Sequence, residues 1–304
     1  MLNVASFGMR SFCKICVKKP FPPNILYFTG TPIYNKKMKI LCLDIGNTHT
    51  HYAVMENRRG LISGVLETRY ISSAADGVPA LMLRKDVKAM QLDGIAFCSV
   101  VPVATERLEQ CLQLMTDLPV CRVWNENCPG LGIHYPKPSE IGPDRLANCI
   151  GAQARFGAPA IIIDMGTAVT FDILTENGYE GGIIAPGIGV MTKYLHEQTA
   201  LLPELQPREL LLAEDDSAVG KSTLAAMKFG CAVGFAGMID ALLQTVLKQL
   251  SRDGVPAPKI LATGGCAGIL PRAWKDRIHW TPFITLQGLE EAFIRKSLEL
   301  KVEN

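Results

Sequence analysis

Two stretches of this chain follow one plan: LCLDIGNTHT at 41–50 and IIIDMGTAVT at 161–170. Each is an apolar run with the character of a buried strand. Each ends in Asp-x-Gly and continues into small hydroxyl or amide residues. Asp44, Gly46, Thr50 and Glu56-Asn57 recur as Asp164, Gly166, Thr170 and Glu176-Asn177, at a constant spacing of 120 residues. One Asp-x-Gly is a common turn. Two of them, each behind the same strand pattern and followed by the same punctuation, point to an internal duplication. A strand that delivers Asp at its end, with Gly next but one, lets the chain turn back and exposes backbone N–H groups. Such a turn is a concave set of donors suited to phosphate oxygens, and the carboxylate beside it suits a hydrated divalent ion. Two hairpins facing each other would clamp a polyphosphate.

Composition narrows the field. The 304 residues allow two ordinary domains with ample core. The net charge of +2, with no basic stripe interleaved with aromatics, offers nothing to a nucleic acid. Apolar runs are broken by Asp, Lys or Gly well before the roughly 18 residues of a membrane span, so none is expected. The ten cysteines are scattered, several inside apolar runs (Cys42, Cys98, Cys149, Cys231), as buried thiols in a reducing cytoplasm would be.

Residues 1–37 hold six basic and no acidic residues and a cluster at Pro20, Pro22 and Pro23, and read as a disordered extension. Strand patterns follow at 39–45, 51–56 and 62–68, with a turn at Asn57–Gly60 between the last two. A helix is expected over 74–88, a buried strand at 94–99, a helix over 103–115 and a strand at 120–124. The segment 125–142, carrying Gly130, Gly132, Pro136 and Pro138, has the composition of a binding loop. Pro143-Asp144 then opens a helix to about 156, where Asp144 reads equally as a helix cap or as a functional acid. The second half repeats strands at 160–164, 168–174 and 179–184. A glycine-rich bend at 181–187 follows, then helices to 198 and over 217–250, a strand at 259–263 running into Gly264-Gly265, a further helix, and a last helix from about 287. The two halves, 38–157 and 158–304, are taken as two subdomains.

Some signals fail. Gly220-Lys221-Ser222-Thr223 resembles the end of a phosphate-binding loop, but Asp215 stands where the first glycine should be. The five histidines lack metal-ligand spacing, and Cys13-Lys-Ile-Cys16 has no second pair.

The duplicated plan, with Thr263-Gly264-Gly265 late in the second half, resembles the superfamily of acetate and sugar kinases, heat-shock chaperones and actin. Within it, the chain resembles type III pantothenate kinase over nearly all of its patterned sequence. The resemblance rests on Asp44-Ile45-Gly46-Asn47-Thr48, Gly142-Pro143-Asp144-Arg145 with Asn148, and Asp164-Met165-Gly166-Thr167-Ala168 with Thr170 and Asp172. Gly181-Gly182 through Pro186-Gly187, and Gly220-Lys221 with Thr223, complete the set in order. It implies an α/β fold of duplicated ribonuclease H-like, actin-like domains, with mixed five-stranded sheets flanked by helices.

It also implies ATP-dependent phosphorylation of pantothenate to 4'-phosphopantothenate, the first step of coenzyme A biosynthesis, by a cytoplasmic homodimeric transferase whose substrate pocket lies near the dimer interface. Asp144 would be the general base. ATP would lie along Asp44, Ile45, Gly46, Asn47, Thr48, His49, Thr50 and His51, with Thr167, although neither histidine is a recognisable family residue. Asp44 would position Mg²⁺, and Asp164 a monovalent cation, potassium or ammonium. Tyr135, Gly142, Pro143, Asp144, Arg145 and Thr223 would contact substrate, with Arg145 suited to its carboxylate. Gly264 and Gly265 would follow the adenosine. Two other readings stand beside this one: a non-catalytic regulatory relative, and a kinase of the superfamily with another small hydroxyl acceptor. Intact Asp44, Asp144, Arg145 and Asp164 weigh against the first.

Overall fold

The structure, a computed structural model, describes residues 37–212, 217–266, 274 and 277–302. The expected disordered extension and the helix after Gly265 lie outside the described residues.

The first half opens with β1 (Ile40–Ile45), β2 (His49–Glu56) and β3 (Arg59–Glu67), an antiparallel meander. The helix expected over 74–88 is two short pieces, α1 (Val78–Leu83) and α2 (Lys85–Lys88), broken at Arg84, whose backbone is extended. Then come β4 (Gly94–Ser99), α3 (Pro102–Met115) and β5 (Val120–Arg122), giving the sheet order β3-β2-β1-β4-β5. β1, β4 and β5 run parallel. After the 125–142 loop, α4 (Pro143–Phe156) leads into the second sheet.

That sheet repeats the arrangement. β6 (Ala160–Met165), β7 (Ala168–Thr175) and β8 (Gly178–Pro186) form the same meander. α5 (Ile188–Glu197) and the long α6 (Thr223–Arg252) follow, then β9 (Lys259–Thr263) and a short β10 (His279–Trp280) that the sequence did not announce. The order is β10-β9-β6-β7-β8. The chain ends in α7 (Ile284–Val302). Both sheets are mixed, both have helices against them, and the fold is the duplicated α/β architecture expected from the resemblance.

Strand register confirms the duplication and corrects its alignment. Asp44 lies opposite His51, whereas Asp164 lies opposite Thr170. The first turn holds Gly46-Asn47-Thr48 and closes with Gly46 N–H donating to His49 O; the second holds only Gly166-Thr167 and closes on Ala168 O. From the turn onward the repeats are therefore 119 residues apart, not 120, and Thr170 matches His51 rather than Thr50. The β-bulges bear this out: one falls between Val54 and Met55, the other between Ile173 and Leu174, at that shorter spacing. A single deletion inside a turn is invisible to a pattern that happens to place Thr at both 50 and 170.

Core packing follows from which faces are apolar. β4 is buried along its whole length and β1 everywhere but at Asp44, as strands covered on both sides must be. One face of the first sheet meets α3 and the α1–α2 segment through Leu43, Phe97 and Leu108. The other face meets α4 and α7 in a core that continues to Ile162 and Leu261 of the second sheet. The far face of the second sheet packs on α6 through Phe171, Phe235 and Ile239. The C-terminal helix thus lies against the N-terminal sheet, and the carboxyl ends of β1 and β6, with the start of α4, converge.

Candidate active site

Asp44 is the last residue but one of β1, Asp164 the last but one of β6, and Asp144 the second residue of α4. They lie near enough to feel one another's charge: Asp144 and Asp164 act on Asp44, and Asp144 acts on Asp164. The two repeated turns and the helix start therefore form one site. Burial pushes the Asp44 carboxyl up to about 7, and its two acidic neighbours push the same way, while a hydrogen bond from the Cys98 thiol (Sγ to Oδ1, 3.5 Å) opposes them. Cys98 reaches Asp44 because β4 lies beside β1 with those two residues in register. Asp164 is raised to about 6 by burial and by Asp144, against the amide of Asn148. Burial also raises Asp144, opposed by the N–H and the charge of Arg145.

The reading of Asp144 as a helix cap falls away. Gly142 is the N-cap and Pro143 the first helical residue. Asp144 instead accepts from Arg145 N (2.9 Å), with its carboxylate turned to the other two acids. Arg145 points along β7. Its Nε donates to Asp172 Oδ1 at 2.5 Å and its Nη2 to Phe171 O at 3.1 Å. Asp172 is fully buried. Burial pushes its carboxyl up to about 7, while Arg145 and Asn148 hold it down. A Cβ on Gly182 would overlap Phe171 O and the Arg145 guanidinium, so only glycine lets this arginine lie across β8. The guanidinium also sits 5.6 Å over the ring of Tyr179.

Tyr135 joins the same wall. Its ring lies 6.1 Å from that of Tyr179, tilted by 52°. The loop that carries it is tied down by Tyr179 N–H donating to Gly132 O (2.9 Å) and His134 N–H donating to Tyr179 O (2.8 Å). The 125–142 segment therefore presents Tyr135, and then Gly142 to Arg145, to the site.

At the first turn, Asn47, Thr48 and His49 are exposed. Ile45 and Thr50 are fully buried. His51 lies opposite Asp44, and its imidazole pKa is lowered by burial and by His49. Thr68, which sequence reasoning passed over, buttresses the turn by donating to Gly46 O (2.7 Å) and bonding the Thr50 hydroxyl (3.0 Å). Thr167 is exposed at the second turn, and its carbonyl accepts from Gly187 N–H (3.1 Å). Gly264 lies against the backbone of Met165 with φ +90°. Thr223 is placed apart from these residues. It is the first residue of α6 and lines an apolar groove of about 390 Å³ with Met191 and Leu195 of α5. Ser222 caps α6 by accepting from Ala225 N–H (3.1 Å).

Among the described residues, no three acidic, histidine or cysteine side chains converge closely enough to hold a metal by themselves. That fits Mg²⁺, which keeps several waters and binds through one or two carboxylates plus substrate phosphates. Three partly open carboxylates, all raised by burial and two of them also by acidic neighbours, are a donor set a cation would relieve. The rest of the site offers the exposed turns, an acid whose pKa is raised by burial, and an arginine paired with Asp172.

Comparisons with known proteins agree with this geometry. The sequence profile of the type III pantothenate kinase family matches residues 40–245. A type III pantothenate kinase of Akkermansia muciniphila is 35% identical over 256 residues, covering 84% of this chain and 98% of that protein. One from Listeria monocytogenes is 33% identical over 261 residues, covering 84% and 97%. A Campylobacter jejuni crystal structure, described as a Baf family transcriptional activator, shares the fold with a TM-score of 0.52 at 18% identity, covering 85% of this chain and 99% of its own. With the profile spanning most of both repeats and the relatives matched nearly end to end, this chain belongs to the type III pantothenate kinase family.

Proposed function

We propose that the protein transfers the γ-phosphoryl group of ATP to the primary hydroxyl of pantothenate, giving 4'-phosphopantothenate, the first step of coenzyme A biosynthesis. The observation that carries this reading is the convergence of Asp44, Asp144 and Asp164 from two duplicated turns and one helix start. The turns Gly46–Thr48 and Gly166-Thr167 hold the phosphates through backbone N–H groups and hydroxyls. Gly264 and Gly265 follow the adenosine. Asp44 would hold hydrated Mg²⁺ and Asp164 a monovalent cation, potassium or ammonium, which would supply positive charge against the phosphates. Asp144 takes the proton of the acceptor hydroxyl. Its raised pKa brings it nearer to working pH, where a base is most effective. Arg145, fixed by Asp172, holds the pantothenate carboxylate, and Tyr135 closes over the acceptor.

The expected subdomain division, 38–157 and 158–304, assigns one phosphate turn to each half. The homodimer expected of the family has a fitting surface in α6. This helix is long and apolar enough, by length and composition, to cross a membrane. One face of it is committed to the second sheet through Phe235, Ile239 and Leu243. Elsewhere Leu224 and Val233 are exposed, and Gly230, Gly234 and Gly237 have open space above them. A second copy packed there would cover this face and enclose Thr223, bringing it to a shared substrate pocket in a cytoplasmic enzyme.

The test is a phosphorylation assay with ATP and pantothenate, with sugars as rival acceptors, in potassium and in a large organic cation. Turnover with pantothenate, slowed by the organic cation, is expected. Turnover with sugars alone would assign another acceptor, and no turnover by folded protein would favour a regulatory role.

A further inference from the structure

Behind the carboxylates, the hydrogen bonds run on into α7. Asn148 lies one helical turn after Asp144 on α4 and is 1% exposed. Its amide nitrogen stands 3.4 Å from Asp164 Oδ2 and 3.4 Å from Asp172 Oδ2. Its carboxamide oxygen accepts from Thr285 Oγ1 at 2.7 Å. Asp164 ends the strand that carries the second phosphate turn, and Asp172 holds Arg145. One buried side chain therefore touches both halves of the reaction centre.

The orientation of that amide is decided by chemistry. Two carboxylates need donors, so the NH₂ must face them and the oxygen must face α7. There the Thr285 hydroxyl supplies the donor that a buried carbonyl oxygen requires. Both contacts to carboxylate are long for N–H···O, so they last only while the amide plane is held. The reach from α7 to α4 depends on a close helix crossing. A Cβ on Gly288 would overlap Ala147 O, and one on Gly151 would overlap Ile284 O. Thr285 is the second residue of α7, beside this crossing.

We propose that Thr285 and Asn148 are positioning residues that fasten the Arg145–Asp172 clamp to the strand end at Asp164, so that filling the nucleotide side orders the acceptor side. This rests on the kinase reading above. Neither residue touches substrate. They act by coupling two sites, and the coupling is reciprocal.

The experiment is calorimetric titration of pantothenate into the full-length protein, with and without a non-hydrolysable ATP analogue and Mg²⁺, alongside steady-state kinetics. Wild type is compared with Thr285→Val, Thr285→Ala and Thr285→Ser. Valine keeps the shape and alanine the helix propensity, so one folded hydroxyl-free variant, verified by circular dichroism, suffices. In wild type the nucleotide should tighten pantothenate binding by about 5-fold or more. The hydroxyl-free variants should lose that enhancement and fall about 10-fold or more in kcat, with KM for ATP little changed. Serine should restore both. A wild type without enhancement, an enhancement kept in the hydroxyl-free variants, or a failure of serine to rescue overturns the relay alone. Failure of wild type to bind pantothenate under either condition overturns the relay and the substrate assignment together.

Discussion

The role proposed for Asp144 as base rests on its neighbours. Burial raises its pKa, the Arg145 N–H limits the rise, and two further acids stand opposite. Asp144→Asn keeps the shape and removes proton acceptance. Turnover should fall roughly 10²- to 10⁴-fold while nucleotide affinity, measured by titration, is retained; near-normal turnover would exclude Asp144 as the base. Asp44 carries a different consequence. Its folded pKa of about 7 lies above the ordinary value of 3.8. Between those values the folded state holds more protons than the unfolded one, so this residue's contribution to stability rises as pH falls from 7 towards 4. Above 7 its penalty is fully developed. Asp44→Asn removes the penalty, so the ligand-free variant should melt about 2–4 °C above wild type at pH 8, and the gap should narrow at pH 5. Scanning calorimetry at the two pH values checks this, and a variant that melts lower at pH 8 would contradict the electrostatic account. At this scale the sequence named Asp44, Asp144, Arg145 and Asp164, because Asp-x-Gly and Gly-Pro-Asp-Arg are local patterns. Thr68, Cys98 and Thr285 went unmarked. Their partners lie 22, 54 and 137 residues away, and nothing local marks them.

The site depends on two kinds of element: hairpins that end a strand in a turn, and the crossing of α4 with α7. The first hairpin of each half was legible because alternating burial and turn residues are local. Its register was not, since a one-residue difference in turn length moves every partner after it. The α4–α7 crossing is a tertiary fact. The two helices lie more than a hundred residues apart in sequence, and nothing local marks Gly151 and Gly288 as the place where their backbones meet. Gly288→Ala places a methyl on Ala147 O, so one helix must shift. The expected cost is about 1–3 kcal/mol, read from denaturant melts at unchanged m-value, with turnover falling because Asn148 is displaced. A variant of unchanged stability and activity would show that the crossing tolerates a wider spacing.

For the molecule as a whole, each sheet brings one of the two repeated turns, and the shared core under α4 and α7 brings the turns together. α6 adds a largely apolar surface on the far side of the second sheet. If a second copy covers it, Val233→Arg should convert a dimer to a monomer by light scattering and weaken turnover through loss of the pocket around Thr223. A variant that stays dimeric would place the interface elsewhere. The amino-acid sequence by itself determined the duplication, most of the strands and helices and the acids at their ends, because each depends on periodicity and turn chemistry within about ten residues. Only the tertiary structure decided that Arg145 is held by Asp172, that Asp144 shares a site with Asp44 and Asp164, and that α7 reaches back to α4 through Thr285 and Asn148. Those contacts arise from packing two sheets around common helices, and packing joins residues that no local pattern relates.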